Sequence, residues 1–88
     1  MICSSQIRAA RAALNWSNNN LAEATGINLS TVKDAQEPRG ISRIAYSDLL
    51  LLKLTLEESG IQFIGSIELA PGIRLDRKRA SKTLMQTE

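Results

Sequence analysis

The sequence predicts a mainly α-helical single domain with a short C-terminal β element, on three observations. Its apolar residues are mostly Ala, Leu and Ile, with aromatic side chains at only 3%, a composition that favours helix over sheet. Apolar positions recur at helical spacing through the first two-thirds of the chain. Near the end the period changes to two: IQFIG (61–65) and GIRLD (72–76) alternate on either side of Ala70-Pro71-Gly72, a turn signal. At 88 residues there is room for one small core and no more.

Each element follows from local chemistry. Ser4 or Ser5 can cap a first helix reaching about Leu14, with Ile7, Ala10 and Leu14 on one stripe and Arg8 and Arg11 beside it. Asn15-Trp16 breaks that pattern. Ser17 can cap a second helix from Asn18 to Thr25, whose buried face is Leu21 and Ala22. Gly26 suits the left-handed position that ends such a helix, Ile27 plugs the turn, and Asn28 can cap a third helix to about Gln36. Pro38 and Gly40 within EPRGIS (37–42) prevent helix from continuing. A longer helix then starts at Ser47-Asp48 and ends near Ser59-Gly60. The two alternating stretches can form a hairpin within the chain or pair with strands of a second copy. Residues 1–75 are thus expected to form the domain and residues 76–88 a basic flexible tail.

Composition argues against whole classes of function. With one cysteine, Cys3, no internal disulfide is possible, and with no histidine there is neither a His-based catalytic arrangement nor ordinary soft-metal ligation. Glu57 and Glu58 are adjacent, so on a helix they point about 100° apart, a poor geometry for paired acid–base work. No glycine-rich phosphate loop or metal-ligand spacing occurs. An enzyme, a cofactor and a metal are therefore not expected. The run Leu49-Leu50-Leu51-Leu52 is far too short to span a bilayer, and MICSSQIRAARAAL lacks the basic-then-apolar pattern of a secretory signal. A soluble intracellular protein without membrane contact is expected.

Net charge is only +2, but its distribution is uneven. Residues 1–45 are net basic, residues 46–75 net acidic, and the tail is basic through Arg77, Lys78, Arg79 and Lys82. A nucleic-acid partner would be met by the N-terminal half, helped by the tail. The spacing within that half is specific. Two short helices crossing steeply need a small residue where they touch, a residue tolerant of positive φ in the turn, an apolar plug after it and an apolar anchor beyond. Ala22, Gly26, Ile27 and Val32 meet those needs in order.

On these residues LNWSNNNLAEATGINLSTVKDAQE resembles the helix-turn-helix of the Cro/C1-type (XRE-like) repressor family, and GIQFI…PGIRL is similar to the C-terminus of its small members. The likeness covers residues 5 to about 37 best. It implies a small lambda-repressor-like helical bundle that binds double-stranded operator DNA, usually as a homodimer, in a bacterial or phage-type cytoplasm. It implies that Asn28, Leu29, Ser30, Thr31, Lys33 and Asp34 lie at or beside base-facing positions of the third helix. It also implies phosphate contacts from Ser17 and Asn18 at the start of the second helix and from Arg39 and Arg43 in the loop after the third. Chemistry agrees in part: Ser30 and Thr31 can exchange hydrogen bonds with bases, Lys33 can read guanine or reach phosphate, and Asn28 can read adenine. Two departures stand out. Asn18-Asn19-Asn20 replaces the usual Gln-Glu or Gln-Lys opening, and Asp34 puts a negative charge on the face that approaches phosphate.

The remaining features each carry two readings. Trp16 is expected in the core with its N–H on a carbonyl, rather than as an exposed stacking residue. Arg8 and Arg11 suit phosphate contact and simple solvation equally. Arg77-Lys78-Arg79 is expected to be disordered and free, the other reading being a DNA-gripping tail. On a helix Leu49, Leu52 and Leu56 share one face and Leu50 and Leu54 another; a dimer contact for the second stripe is preferred over cover by the hairpin. The rival function is a protein-interaction module, antitoxin-like or partner-binding, using that leucine face or a strand edge.

Overall fold

In the computed structural model, which describes residues 1–79, the order is α1 (Ser4–Ala13), α2 (Asn18–Thr25), α3 (Leu29–Ala35), a 3-10 turn (Ile41–Arg43), α4 (Tyr46–Glu58), β1 (Ile61–Ile64) and β2 (Gly72–Leu75). The fold is mainly α with a two-stranded antiparallel sheet. Among the described residues no helix is long and apolar enough to cross a membrane.

The first helix begins one residue earlier than serine capping predicts. Cys3 is the N-cap, because Gln6 reaches back and its Oε1 accepts from the Cys3 N–H at 3.0 Å. Leu14 closes the helix and Asn15, at φ 58°, reverses the chain. The second helix has the expected bounds. Its cap is a reciprocal box: Ser17 Oγ accepts from the Asn20 N–H at 3.0 Å, and Asn20 Oδ1 accepts from the Ser17 N–H at 2.8 Å. Gly26 ends the helix at φ 75°, and its N–H donates to the Ala22 carbonyl at 2.8 Å. Thr25 Oγ1 then accepts the Ile27 N–H, and the Asn28 side chain caps α3 by accepting from the Ser30 N–H at 3.2 Å.

Pro38 and Gly40 do stop the helix, but the segment after them is not plain loop: Ile41–Arg43 make a 3-10 turn. Gly40 is where this turn meets α3. A Cβ on Gly40 would lie 2.2 Å from the Asp34 carbonyl oxygen, so the approach needs a residue without a side chain. The fourth helix starts at Tyr46, slightly ahead of the Ser47-Asp48 start that polarity predicts, with Ala45 at the cap.

The strands pair within the chain, which decides between the two alternatives for this segment. Ile61 faces Leu75, Gln62 faces Arg74, Phe63 faces Ile73 and Ile64 faces Gly72. Ile61, Phe63, Ile73 and Leu75 form the inner face of the sheet, packed into or against the core. Gln62 and Arg74 lie outside and bond to each other at 3.4 Å. Gly72 belongs to β2; the reversal lies in the preceding residues, with the Ala70 N–H on the Ser66 carbonyl at 2.8 Å. The buried Gln6 joins this hairpin to α1, its Nε2 donating to the carbonyls of Ile64 (3.3 Å) and Gly72 (3.0 Å), which face each other across the sheet. At the other end of the hairpin the Asp76 N–H closes on the Gly60 carbonyl at 2.7 Å.

The core is Ile2, Ile7, Ala10, Leu14, Trp16, Leu21, Ile27, Val32, Ala35, Leu52, Leu56 and Ile61. The first leucine stripe therefore points inward, with Leu49 packed at its edge. The second stripe is split: Leu50 is half-buried, whereas Leu54 is 47% exposed and Leu51 beside it 41%. Trp16 is core as expected, but its indole N–H meets no carbonyl among the described residues. Among the described residues no buried polar side-chain atom is left unpaired, so that N–H reaches the surface. The expectation of a free tail from residue 76 also needs correcting at its start. Arg79 Nε donates to the Glu58 carbonyl at 3.0 Å, and the Arg79 N–H donates to Asp76 Oδ1, so the chain is held against the C-terminus of α4 that far. The rest of the predicted tail lies outside the described residues.

The two glycines that shape this region should respond differently to substitution. At Gly26 a Cβ would meet nothing within 4 Å, so Gly26→Ala carries only the strain of positive φ, about 1 kcal/mol. Gly40→Ala forces a clash with backbone and should lose more, about 2–3 kcal/mol. Urea unfolding of both variants checks the order; equal losses would mean that the 3-10 turn does not press on α3 as described.

Candidate nucleic-acid interface

The third helix buries Val32 and Ala35 completely and turns Ser30, Lys33 and Asp34 outward. Leu29 and Thr31 are half-buried at the rim, and Asn28 is exposed at the cap. Of the six residues expected at base-facing positions, Ser30, Lys33 and Asp34 thus share the exposed side of a short helix, and the other three stand at its rim or cap.

Two of them already have local partners. Asn28 Oδ1 accepts from both the Ser30 N–H and the Ser30 hydroxyl, each at 3.2 Å. Asn28 is left with its NH2 as a free donor, and Ser30 Oγ with its lone pairs as acceptors. Bidentate reading of adenine requires Oδ1 as well as Nδ2, so Asn28 would have to give up the cap to do it. As it stands, Asn28 presents a donor and Ser30 an acceptor.

An open depression of about 340 Å³ lies beside this face. Lys33 and Asp34 line it from α3, Asn18 from the start of α2, and Arg8 and Arg11 from α1; Gln36 and Glu37 complete it. Three cationic groups face two carboxylates there, and the first turn of α2 opens into the same space.

Gln36 holds this arrangement together. It is the C-cap of α3 and only 5% exposed. Its Oε1 accepts from Arg11 Nε at 2.8 Å, while its Nε2 donates to Asn18 Oδ1 at 2.8 Å and to the Val32 carbonyl at 3.0 Å. Its own carbonyl accepts from Arg8 Nη1. Arg11 also donates from Nη1 to the Trp16 carbonyl at 2.9 Å. Simple solvation does not describe what these arginines do. They are structural cations that tie α1 to the end of α3, where carbonyls without helical partners attract positive charge.

No family model, curated protein or solved structure matches this chain.

The asparagine run now has a local account. Asn20 completes the capping box, the place usually held by Glu or Gln, and Asn18 receives Gln36. Asparagine is poor in a helix interior, but these residues sit in the first turn, where side chains satisfy orphan N–H groups. Ser17 is less available than expected. Its N–H and its Oγ acceptor are engaged in the box, leaving the hydroxyl hydrogen. Arg39 and Arg43 are exposed around the 3-10 turn, outside the depression. Lys33 is exposed as well, and its side chain has no hydrogen-bond or ion-pair partner among the described residues. Among the described residues no cluster of metal-ligating side chains occurs.

Sequence reasoning missed Gln36 and Gln6 as structural residues. Each was legible only as a glutamine in or at the end of a helix, because its partners are remote: 18 and 25 residues away for Gln36, and 58 and 66 for Gln6.

Removing Arg11 should expose the dependence. Arg11→Ala leaves the Gln36 acceptor and the Trp16 carbonyl without their donor and should cost about 1–3 kcal/mol. Arg8→Ala, at an exposed position, should cost less. Chemical denaturation of the two variants tests this, and an Arg11 variant as stable as the parent would remove the junction from the account.

Proposed function

We propose that this protein is a sequence-specific double-stranded-DNA-binding transcriptional regulator, a repressor, built on a lambda-repressor-like helix-turn-helix. It acts in the cytoplasm as a homodimer on a palindromic operator. The observation that carries this reading is the shared side of α2 and α3: Lys33 and Asp34 line one depression with Asn18 from the start of α2, and the exposed Ser30 lies on the same side of α3. That juxtaposition supplies the two kinds of contact that operator recognition requires. Donors at a helix start and cations hold phosphates and set the register, while side chains on the next helix reach base edges.

The roles follow from the hydrogen bonds already made. Lys33, without a protein partner, reads guanine or takes a phosphate, and Ser30 offers acceptors to a base amino group. Asp34 accepts from cytosine N4 and repels phosphate, which penalises wrong registers more than right ones. Asn18 and Ser17 meet the phosphate backbone at the start of α2, while Arg39 and Arg43 reach it from the loop beyond α3. A single exposed lysine on the reading helix makes non-specific binding modest. Leu54 and Leu51, left open on α4, supply the apolar contact between two copies, and two-fold symmetry then sets half-sites about one helical turn apart.

Selection of bound duplexes from a random library at about 100 mM salt is the deciding experiment, since phosphate-only binding is already weakened there. An inverted repeat should be enriched. A folded protein that enriches nothing would transfer the reading to a protein-interaction module working through the exposed leucines. With an operator in hand, Lys33→Ala should change base preference at one position of each half-site by about 1–3 kcal/mol. Leu54→Glu should shift the protein from dimer to monomer in sedimentation and weaken operator binding at low protein concentration. Unchanged preference in the lysine variant would mean that α3 does not enter the groove as proposed.

A further inference from the structure

We infer that Gln36, which touches no base or phosphate, is a positioning residue that fixes which side of the Asn18 amide faces DNA. The inference rests on the DNA-binding reading above and names a device within that same site.

The geometry permits one assignment of the amides. Gln36 Nε2 lies 3.0 Å from the Val32 carbonyl, which can only accept, so this atom is the NH2. Its Oε1 faces the Arg11 guanidinium at 2.8 Å, which can only donate. Both ends of Gln36 are therefore determined by groups whose polarity cannot change. The Asn18 atom 2.8 Å from Gln36 Nε2 must then be an acceptor, Oδ1. The Asn18 NH2 is left with no partner among the described residues, at a partly exposed position lining the depression. A free asparagine would present either end with similar ease. Here the buried glutamine holds the acceptor inward and leaves the donor outward, the polarity that a phosphate oxygen requires. Arg11 is the remote end of the same chain, so α1 takes part in setting a contact made from α2.

The polarity can be reversed with little change in shape. In Gln36→Glu the carboxylate still accepts from Arg11, with a charge-assisted bond in place of a neutral acceptor, so the α1–α3 link persists. It can no longer donate to Asn18 or to the Val32 carbonyl, and the second loss is the same whether or not Asn18 is present. The Asn18 amide turns over, gives its NH2 to the new carboxylate, and presents Oδ1 to phosphate.

The test is a double-mutant cycle on operator affinity with Gln36→Glu and Asn18→Ala, read by fluorescence anisotropy over a range of salt. Gln36→Glu should weaken binding about tenfold or more, equally for operator and unrelated DNA. The cycle removes the trivial repulsion of the new charge, which is present in both backgrounds. In the Asn18→Ala background the same change should therefore have a much smaller effect. An equal effect in both backgrounds overturns the inference while leaving DNA binding intact. Failure of the parent protein to bind any DNA overturns the proposed function and this inference with it.

Should Gln36→Glu not fold, side-chain amide exchange measured by NMR on the parent protein answers the same question. Slow exchange of the Gln36 NH2 with fast exchange of the Asn18 NH2 supports the inference; the reverse overturns it.

Discussion

One buried side chain with every polar atom matched sets the angle on which the rest depends. Gln36 stands where α1, the start of α2 and the end of α3 converge, and it donates or accepts toward each of them. In a low-dielectric interior an amide that loses one partner costs far more than the partner contributes, so such a junction tolerates few alternative packings. Apolar residues alone do not impose that restriction. Leu21, Ile27 and Val32 draw α2 and α3 together, but contacts between aliphatic side chains accept a range of crossing angles. The matched amide selects one arrangement from that range, and with it the side of α3 that remains exposed.

A second glutamine does comparable work at the other end of α1. Gln6 caps its own helix through Oε1 and anchors the hairpin through Nε2, bonding both carbonyls of the Ile64–Gly72 pair. A two-stranded hairpin is marginal by itself in water. This one is held by its inner apolar face, by Gln6, and by the closure of Asp76 on Gly60. The first helix thereby links the depression near α3 to the sheet, through two neutral amides and two arginines rather than through buried ion pairs. Ion pairing plays little part among the described residues: Lys53–Glu57 is a half-buried i,i+4 pair, a geometry worth only about tenths of a kcal/mol.

The proposed DNA-binding surface shows how capping and reading compete for the same atoms. Short helices need side chains to satisfy their first N–H groups, and α2 and α3 use Ser17, Asn20 and Asn28 for this. Those side chains also stand at the positions nearest a ligand. Each cap therefore removes an acceptor from the surface and leaves a donor, the polarity that suits an anionic partner. The negative charges of Asp34 and Glu37 oppose it, and the balance favours discrimination over raw affinity.

Much of the fold was legible from the chain because it depends on neighbours in sequence. Ser17, Gly26 and Asn28 act on backbone groups within four residues, so the bounds of α2 and α3 follow from local capping chemistry. The period-two stretches likewise announced strands, and the apolar spacing announced most of the core. What local chemistry cannot specify is where a long polar side chain ends, since that is decided by whichever remote atom lies within reach. Thus Arg8 and Arg11 read as surface charge and proved to be ties, Arg79 read as a free tail residue and proved to be docked, and Gln36 and Gln6 carried no signal. Strand pairing within the chain and the exposure of Leu51 and Leu54 belong to the same class. The sequence by itself determined the helices, the caps of α2 and α3, and the apolar stripe. Tertiary structure alone decided which polar groups meet, because a hydrogen bond between distant residues exists only once the packing has brought both ends within about 3 Å.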